Sequence, residues 1–173
     1  MDKPLAEQVA LITGAGQGVG QGIAFALARR GVRIIAVGRT LSKCQQTIEA
    51  VRERFGGDGV ALEYDIGNTE QLDELVATAA ALYERLDILV NNAVSAQIGS
   101  LMEASVQAFE TGLRVGPVAT LRLMQLVQPH LLAVGGGNII NLASSAAMRW
   151  DSSQYGVYAV SYTHLTLPTT ERV

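Results

Sequence analysis

Uninterrupted apolar runs alternate with amphipathic stretches along this chain, and that alternation predicts its elements. Val9-Ala10-Leu11-Ile12 makes the segment from Gln8 to Thr13 a continuous apolar strand, the pattern of a parallel strand covered on both faces. Ile23 to Ala28 reads as a helix ending near Arg29-Arg30-Gly31, with cations and a glycine at its C-terminus. Val32 to Val37 predicts a second strand closing on Gly38-Arg39-Thr40, and Gly56-Gly57-Asp58-Gly59 breaks a helix from about Leu41 to Phe55. Val60 to Tyr64 predicts a third strand that ends at Asp65, and Asn68 is read as the N-cap of a helix running to about Arg85. Asp87 to Asn91 is a fourth strand. A long helical stretch fills about Ser105 to Val134, weakened in its middle by Gly112, Gly116 and Pro117. Gly135-Gly136-Gly137 leads into a fifth strand, Asn138 to Leu142.

Strands alternating with helices of these lengths imply repeated right-handed βαβ units. The expected fold is α/β: a Rossmann-like doubly wound parallel sheet with helices on both faces, incomplete at the C-terminus. Ligands of such sheets bind outside the carboxyl ends of the strands. No internal repeat, low-complexity tract or linker interrupts the chain before residue 160.

Composition narrows the function classes. A length of 173 residues with 49% hydrophobic content suits one domain with a real core. A net charge of −3 without basic clusters argues against nucleic acid as the main partner. The single cysteine, Cys44, excludes an internal disulfide and suits a reducing compartment. The start carries no signal-peptide pattern and no apolar run is long enough to span a bilayer, so a soluble cytoplasmic protein is expected. His130 and His164 form no ligand spacing with Cys44 or a carboxylate, and no metal is expected.

The candidate chemistry starts at Thr13-Gly14-Ala15-Gly16-Gln17-Gly18-Val19-Gly20, between the first strand and the first helix. A glycine-rich turn here lets backbone N–H groups and the positive end of the helix dipole approach a pyrophosphate. A glycine turn also connects ordinary elements, so the flanking strand and helix carry the argument. An acidic residue at the end of the second strand would hydrogen-bond a ribose 2′-hydroxyl and repel a 2′-phosphate. This chain has Gly38, which leaves space, and Arg39, which can pair with phosphate in fork geometry. NADP is therefore favoured over NAD, against the plainer reading of Arg39 as an exposed loop charge. Asp65 could accept a hydrogen bond from the adenine amine, or form a turn.

These motifs together resemble the short-chain dehydrogenase/reductase family over residues from about 5 to 161. Thr13-Gly14-x-x-x-Gly18-x-Gly20 is similar to that family's cofactor turn, and Asn91-Asn92-Ala93 to the start of its Asn-Asn-Ala-Gly motif, with Val94 in place of the last glycine. Asn141-Leu142-Ala143-Ser144 matches the end of the fifth strand, where Ser144 falls on the catalytic serine. Tyr158-Ala159-Val160-Ser161 resembles the family's Tyr-Ala-x-Ser-Lys, which makes Tyr158 the catalytic tyrosine and Tyr155 a wall of the substrate pocket. The resemblance implies cofactor contacts from Thr13, Gly14, Gln17, Gly18, Val19, Gly20, Gly38, Arg39, Asp65, Ile66, Asn91 and Ala93. It also implies a small-molecule carbonyl/alcohol substrate, and a homo-oligomer for the full-length protein.

The family chemistry explains this set. Hydride transfer to a carbonyl leaves an alkoxide that must gain a proton. A tyrosine, with an ordinary pKa near 10, gives it up readily only beside a cation, which the family's lysine supplies. Ser144 would stabilise the developing charge. Two departures stand out: Gly116 falls where the family often has a relay asparagine, and Tyr162 falls on the lysine.

After Ser161 the chain turns Thr-rich and β-favouring and meets Pro168, against the expected helix. The run from Val160 to Thr169 resembles a translated sequencing adapter, so residues 1–161 are read as a partial domain and 162–173 as a non-native tail. A full family member would continue for roughly 80–90 residues more, and the chain as written is expected to show no reductase activity. The apolar Ala146, Ala147, Met148 and Trp150 hint at an apolar substrate, or are packing. The alternative is a non-catalytic dinucleotide-binding sensor or interaction module, in which Val94, Gly116 and Tyr162 are true losses. Epimerase or dehydratase chemistry on the same scaffold is disfavoured by the glycine spacing.

Overall fold

The computed structural model describes residues 5–95, 99–148 and 156–163. Strands β1 (Val9–Thr13), β2 (Arg33–Gly38), β3 (Gly59–Glu63), β4 (Ile88–Asn91) and β5 (Asn138–Asn141) pair in parallel, in the order β3-β2-β1-β4-β5. Helices α1 (Gly18–Ala28), α2 (Leu41–Phe55), α3 (Leu72–Tyr83), α4 (Val106–Leu113), α5 (Ala119–Ala133) and α6 (Gly156–Thr163) accompany them, with short 3₁₀ turns and one π-turn between. This is the doubly wound α/β arrangement that the apolar runs predict. The order reverses between β1 and β4, and there the carboxyl ends of the strands open into a crevice.

The period of two along each strand divides the core between the sheet's faces. On one face Val9, Leu11, Ile35, Val37 and Leu89 pack with Leu72, Leu75 and Val76 of α3 and Leu123, Val127 and Leu131 of α5. On the other, Ala10, Ile12, Ile34, Ala36 and Val90 pack with Ala24 and Ala28 of α1 and Ile48 and Val51 of α2. Every residue of β1 is fully buried, as suits the central strand of such a sheet. At the amino end of β4 the buried Asp87 carboxylate accepts from the Val9 amide at 2.9 Å and from Arg85 Nε at 2.9 Å and Nη2 at 2.7 Å.

Two elements differ in detail from their expectation. The helical stretch after Ser105 is not broken at Gly116-Pro117. Pro117 has no amide to donate and crowds the carbonyl four residues back, so the helix passes it in a wide π-turn, Arg114–Val118, and continues as α5. Asn68, expected to cap α3, makes no capping bond through its side chain. Its amide is held by the Asp65 carbonyl at 2.9 Å, a short 3₁₀ turn (Thr69–Gln71) follows, and α3 starts at Leu72. The helix ends at Tyr83, because Glu84 takes a left-handed φ of 54°.

β5 ends the sheet order, and its Ile140 is 43% exposed on the face that α1 and α2 cover elsewhere.

Candidate functional site

A cleft of about 460 Å³ opens at the carboxyl ends of β1 to β4. Its floor is the turn between β1 and α1, and the way that turn is fastened sets the geometry of the site. The buried Thr13 hydroxyl donates to the Val90 carbonyl at 3.3 Å and accepts from the Asn92 and Ala93 amides, both at 3.0 Å. Asn92 Nδ2 reaches back to the carbonyls of Thr13 at 2.9 Å and Gly14 at 3.2 Å. Thr13 and Asn92 thus clasp the ends of β1 and β4 across the switch point.

The turn itself needs its glycines. Gly14 has φ +66°, a conformation that side chains disfavour. A Cβ on Gly20 would collide with the Gly14 carbonyl oxygen and lie 2.5 Å from Asn92 Nδ2, so α1 approaches the turn only because residue 20 lacks one. From the other side, the Ala15 amide donates to the Val37 carbonyl at 3.1 Å, and the Thr47 hydroxyl of α2 donates to the Ala15 carbonyl at 3.0 Å.

The structure brings most of the expected residues together. Gly14, Gln17, Gly18 and Val19 line the cleft, with Gly38 and Arg39 from the end of β2, Asp65 and Ile66 beyond β3, Ala93 after β4, and Tyr158 from α6. Val19 is 65% exposed at the entrance to α1. Thr13, Gly20 and Asn91 are buried and do not line it; they hold its walls. Asn91 Nδ2 donates to Asn141 Oδ1 at 2.8 Å, tying β4 to β5, while Asn91 Oδ1 is buried without a partner. Asp65 Oδ1 accepts from the Gly67 amide at 2.9 Å, so this carboxylate forms a turn as well as lining the cleft.

Ser144 ends the segment after β5, and its Oγ accepts from the Ala146 amide at 3.2 Å, capping the 3₁₀ turn Ser145–Ala147. It does not line the cleft, but α6 packs on the turn it caps. One helical turn beyond Tyr158, the buried Tyr162 also faces the cleft, with ring centroids 4.5 Å apart. Burial, then a hydrogen bond to Tyr158, pushes the Tyr162 phenol well above its usual pKa. A neutral phenol therefore stands where the resemblance implies a cation. The chain's lysines, Lys3 and Lys43, are not in α6. Tyr155, Trp150 and His164 lie outside the described residues.

Sequence reasoning missed Lys43 and Cys44, which line the cleft from α2. Cys44 is buried, and burial, then the charge of Glu63, raises its thiol pKa. Asn92 was legible only as part of its motif, and its clasp became visible with the fold. Among the described residues no cluster of His, Cys, Asp and Glu could hold a metal, and no helix is long and apolar enough to cross a membrane.

A glycine turn clasped at a switch point, with a cleft above it, is the arrangement in which doubly wound α/β proteins bind dinucleotides. The chain belongs to the short chain dehydrogenase family, whose model matches residues 8–164. It is 33% identical over 145 residues to the ketoacyl reductase HetN of Nostoc sp. (strain PCC 7120), an alignment covering 84% of this chain and 50% of that protein. It is 34% identical over 164 residues to D-threitol dehydrogenase of Mycolicibacterium smegmatis, covering 89% of this chain and 62% of the relative. The chain thus spans from half to about six-tenths of these curated relatives. Among solved structures, L-sorbose reductase from Gluconobacter frateurii, complexed with NADPH and L-sorbose, superposes with a TM-score of 0.87 at 30% identity, covering 95% of this chain and 62% of that one. A metagenomic short-chain oxidoreductase in complex with NADP gives a TM-score of 0.86 at 26% identity, covering 94% and 73%.

Proposed function

We propose that the protein is an NADP-preferring oxidoreductase that moves a hydride between the nicotinamide and a carbonyl/alcohol substrate. One observation carries this reading: the glycine turn, Gly38-Arg39 and Tyr158 line a single continuous cleft. The cradle fits a dinucleotide, since Gly14, Gly16 and Gly18 line it with no side chain to hold a phosphate away from the backbone. The turn, Gly38, Arg39, Asp65, Ile66 and Ala93 would hold the cofactor, which supplies the hydride. Tyr158 would pass its phenolic proton to the substrate oxygen, and Ser144 would donate a hydrogen bond to that oxygen. The names of the relatives support substrates of the 3-oxoacyl or ketone/sugar type.

On this reading residues from about 160 onward are adapter read-through, and the chain as written is inactive. Tyr162 supports this, because a buried phenol beside Tyr158 cannot supply the positive charge that eases proton release. Among the described residues β5 stands last in the sheet order with no strand beyond it, which supports a longer native sheet. Exposed Val118, at the end of the π-turn, and Leu121 and Leu132 of α5 support a homo-oligomer of the full-length protein, and the composition supports a cytoplasmic location.

Sequencing the source gene through codon 160, followed by assays of both chains with NADPH, NADH and a ketone panel, tests the proposal. A lysine codon at 162, turnover by the longer protein and none by this chain are expected. Robust NADPH-dependent turnover by this chain would overturn its inactivity. Native DNA that encodes Tyr162 to Val173 and stops would favour the binding module instead. In the longer protein, Gly38→Asp with Arg39→Ala should move preference towards NADH. Cys44 Sγ must give way for that aspartate, since a Cβ at residue 38 would lie 3.0 Å from it.

A further inference from the structure

We propose that Lys43 is a cofactor-specificity residue: held by Gln17 across the mouth of the cleft, it supplies the second positive charge for a ribose 2′-phosphate. This rests on the NADP reading above and extends it to a residue on a different element. A phosphate monoester carries about −1.5 to −2 charges at neutral pH, and Arg39 matches only one of them.

A second cation lines the same cleft as the first. Lys43 lies in the first turn of α2, four residues after Arg39, and both line the cleft with Gly16, Gln17, Gly38 and Thr40. Its Nζ donates to Gln17 Oε1 at 2.7 Å. Its stem lies against the glycine turn, where a Cβ on Gly16 would come within 2.9 Å of Lys43 Cβ. Gln17 is neutral, so it orients the ammonium without cancelling its charge, and two donors remain for a ligand.

The surroundings match an anion. Among the described residues no salt bridge engages Arg39 or Lys43, and Asp65 is the one carboxylate among the described lining residues. The first turn of α2 holds no acidic residue and Thr40 makes no side-chain cap. The positive end of the α2 dipole therefore adds to the two cations.

The test is calorimetric titration of the 173-residue chain with adenosine 2′,5′-bisphosphate and with 5′-AMP. Wild type should bind the bisphosphate more tightly. Lys43→Met should weaken it about tenfold, equivalent to about 1.4 kcal/mol, and leave 5′-AMP within about twofold. Lys43→Arg should keep most of the preference, Gln17→Leu should lose part of it, and the Lys43→Met deficit should shrink with added salt. Lys43 is exposed, so these variants should melt like wild type. If wild type binds both probes equally, the NADP reading fails and takes this inference with it. If wild type prefers the bisphosphate and Arg39→Ala loses that preference while Lys43→Met keeps it, only the assignment of Lys43 is overturned.

Discussion

Replacing Thr13 by valine keeps the shape of the side chain and removes its hydroxyl. In the fold that hydroxyl accepts from two backbone amides, Asn92 and Ala93, and donates to the Val90 carbonyl. Each donor left without a partner costs about 1–3 kcal/mol when buried. Both amides are only partly buried, so about 2–4 kcal/mol in total is the expected loss. For a chain of this size each kcal/mol lowers Tm by about 2–4 °C, which gives a fall of about 5–15 °C. Thr13→Ser keeps the hydroxyl and deletes one methyl, a loss of about 1 kcal/mol. Urea unfolding followed by far-ultraviolet circular dichroism separates the two variants, with the slope against denaturant unchanged. Asn92 and Ala93 also line the cleft, so Thr13→Val should weaken NADPH binding as well. If Thr13→Val and Thr13→Ser differ by less than about 0.5 kcal/mol, near the resolution of such measurements, the clasp does not hold the turn.

Three further outcomes follow from local geometry. Gly20→Ala should destabilise by about 1–3 kcal/mol, as overpacking does, because its Cβ would meet Gly14 and Asn92; denaturation midpoints report it. Gly22→Ala, also in α1 but with nothing within 4 Å of its Cβ, should instead stabilise by about 0.5–1 kcal/mol. The reverse order would contradict the packing of α1 on the turn. Burial and a hydrogen bond to Asp58 push the Tyr83 phenol up to about 12. The neutral phenol is the form the fold favours, so its contribution is complete below about pH 10, the unfolded value, and is lost as pH rises through about 12. Tyr83→Phe should flatten that alkaline fall in urea midpoints, and an unchanged profile would count against the raised pKa of this phenol.

The order and kind of the strands and main helices are legible along the chain. Apolar runs such as Val9 to Ile12, alternating with amphipathic helices, suit strands covered on both faces, and the glycine turn after β1 marks where phosphate can approach. Those are local properties, legible in periods of two and 3.6 and in glycine spacing. The sequence also showed Tyr162 where the resemblance implies a lysine, but not that the phenol turns inward and hydrogen-bonds to Tyr158. Which distant residues meet depends on how the elements pack. Thr13 and Asn92 are 79 residues apart yet share hydrogen bonds, because β1 and β4 pair at the switch point. Gln17 and Lys43, 26 residues apart, meet because α1 and α2 lie on the same face of the sheet. Pro117, a weak point when read locally, passes in one wide turn because α5 is held by Leu123, Val127 and Leu131 in the core. Burial of that apolar face outweighs the hydrogen bond that Pro117 cannot donate, and such a balance between distant packing and local preference cannot be read along the chain.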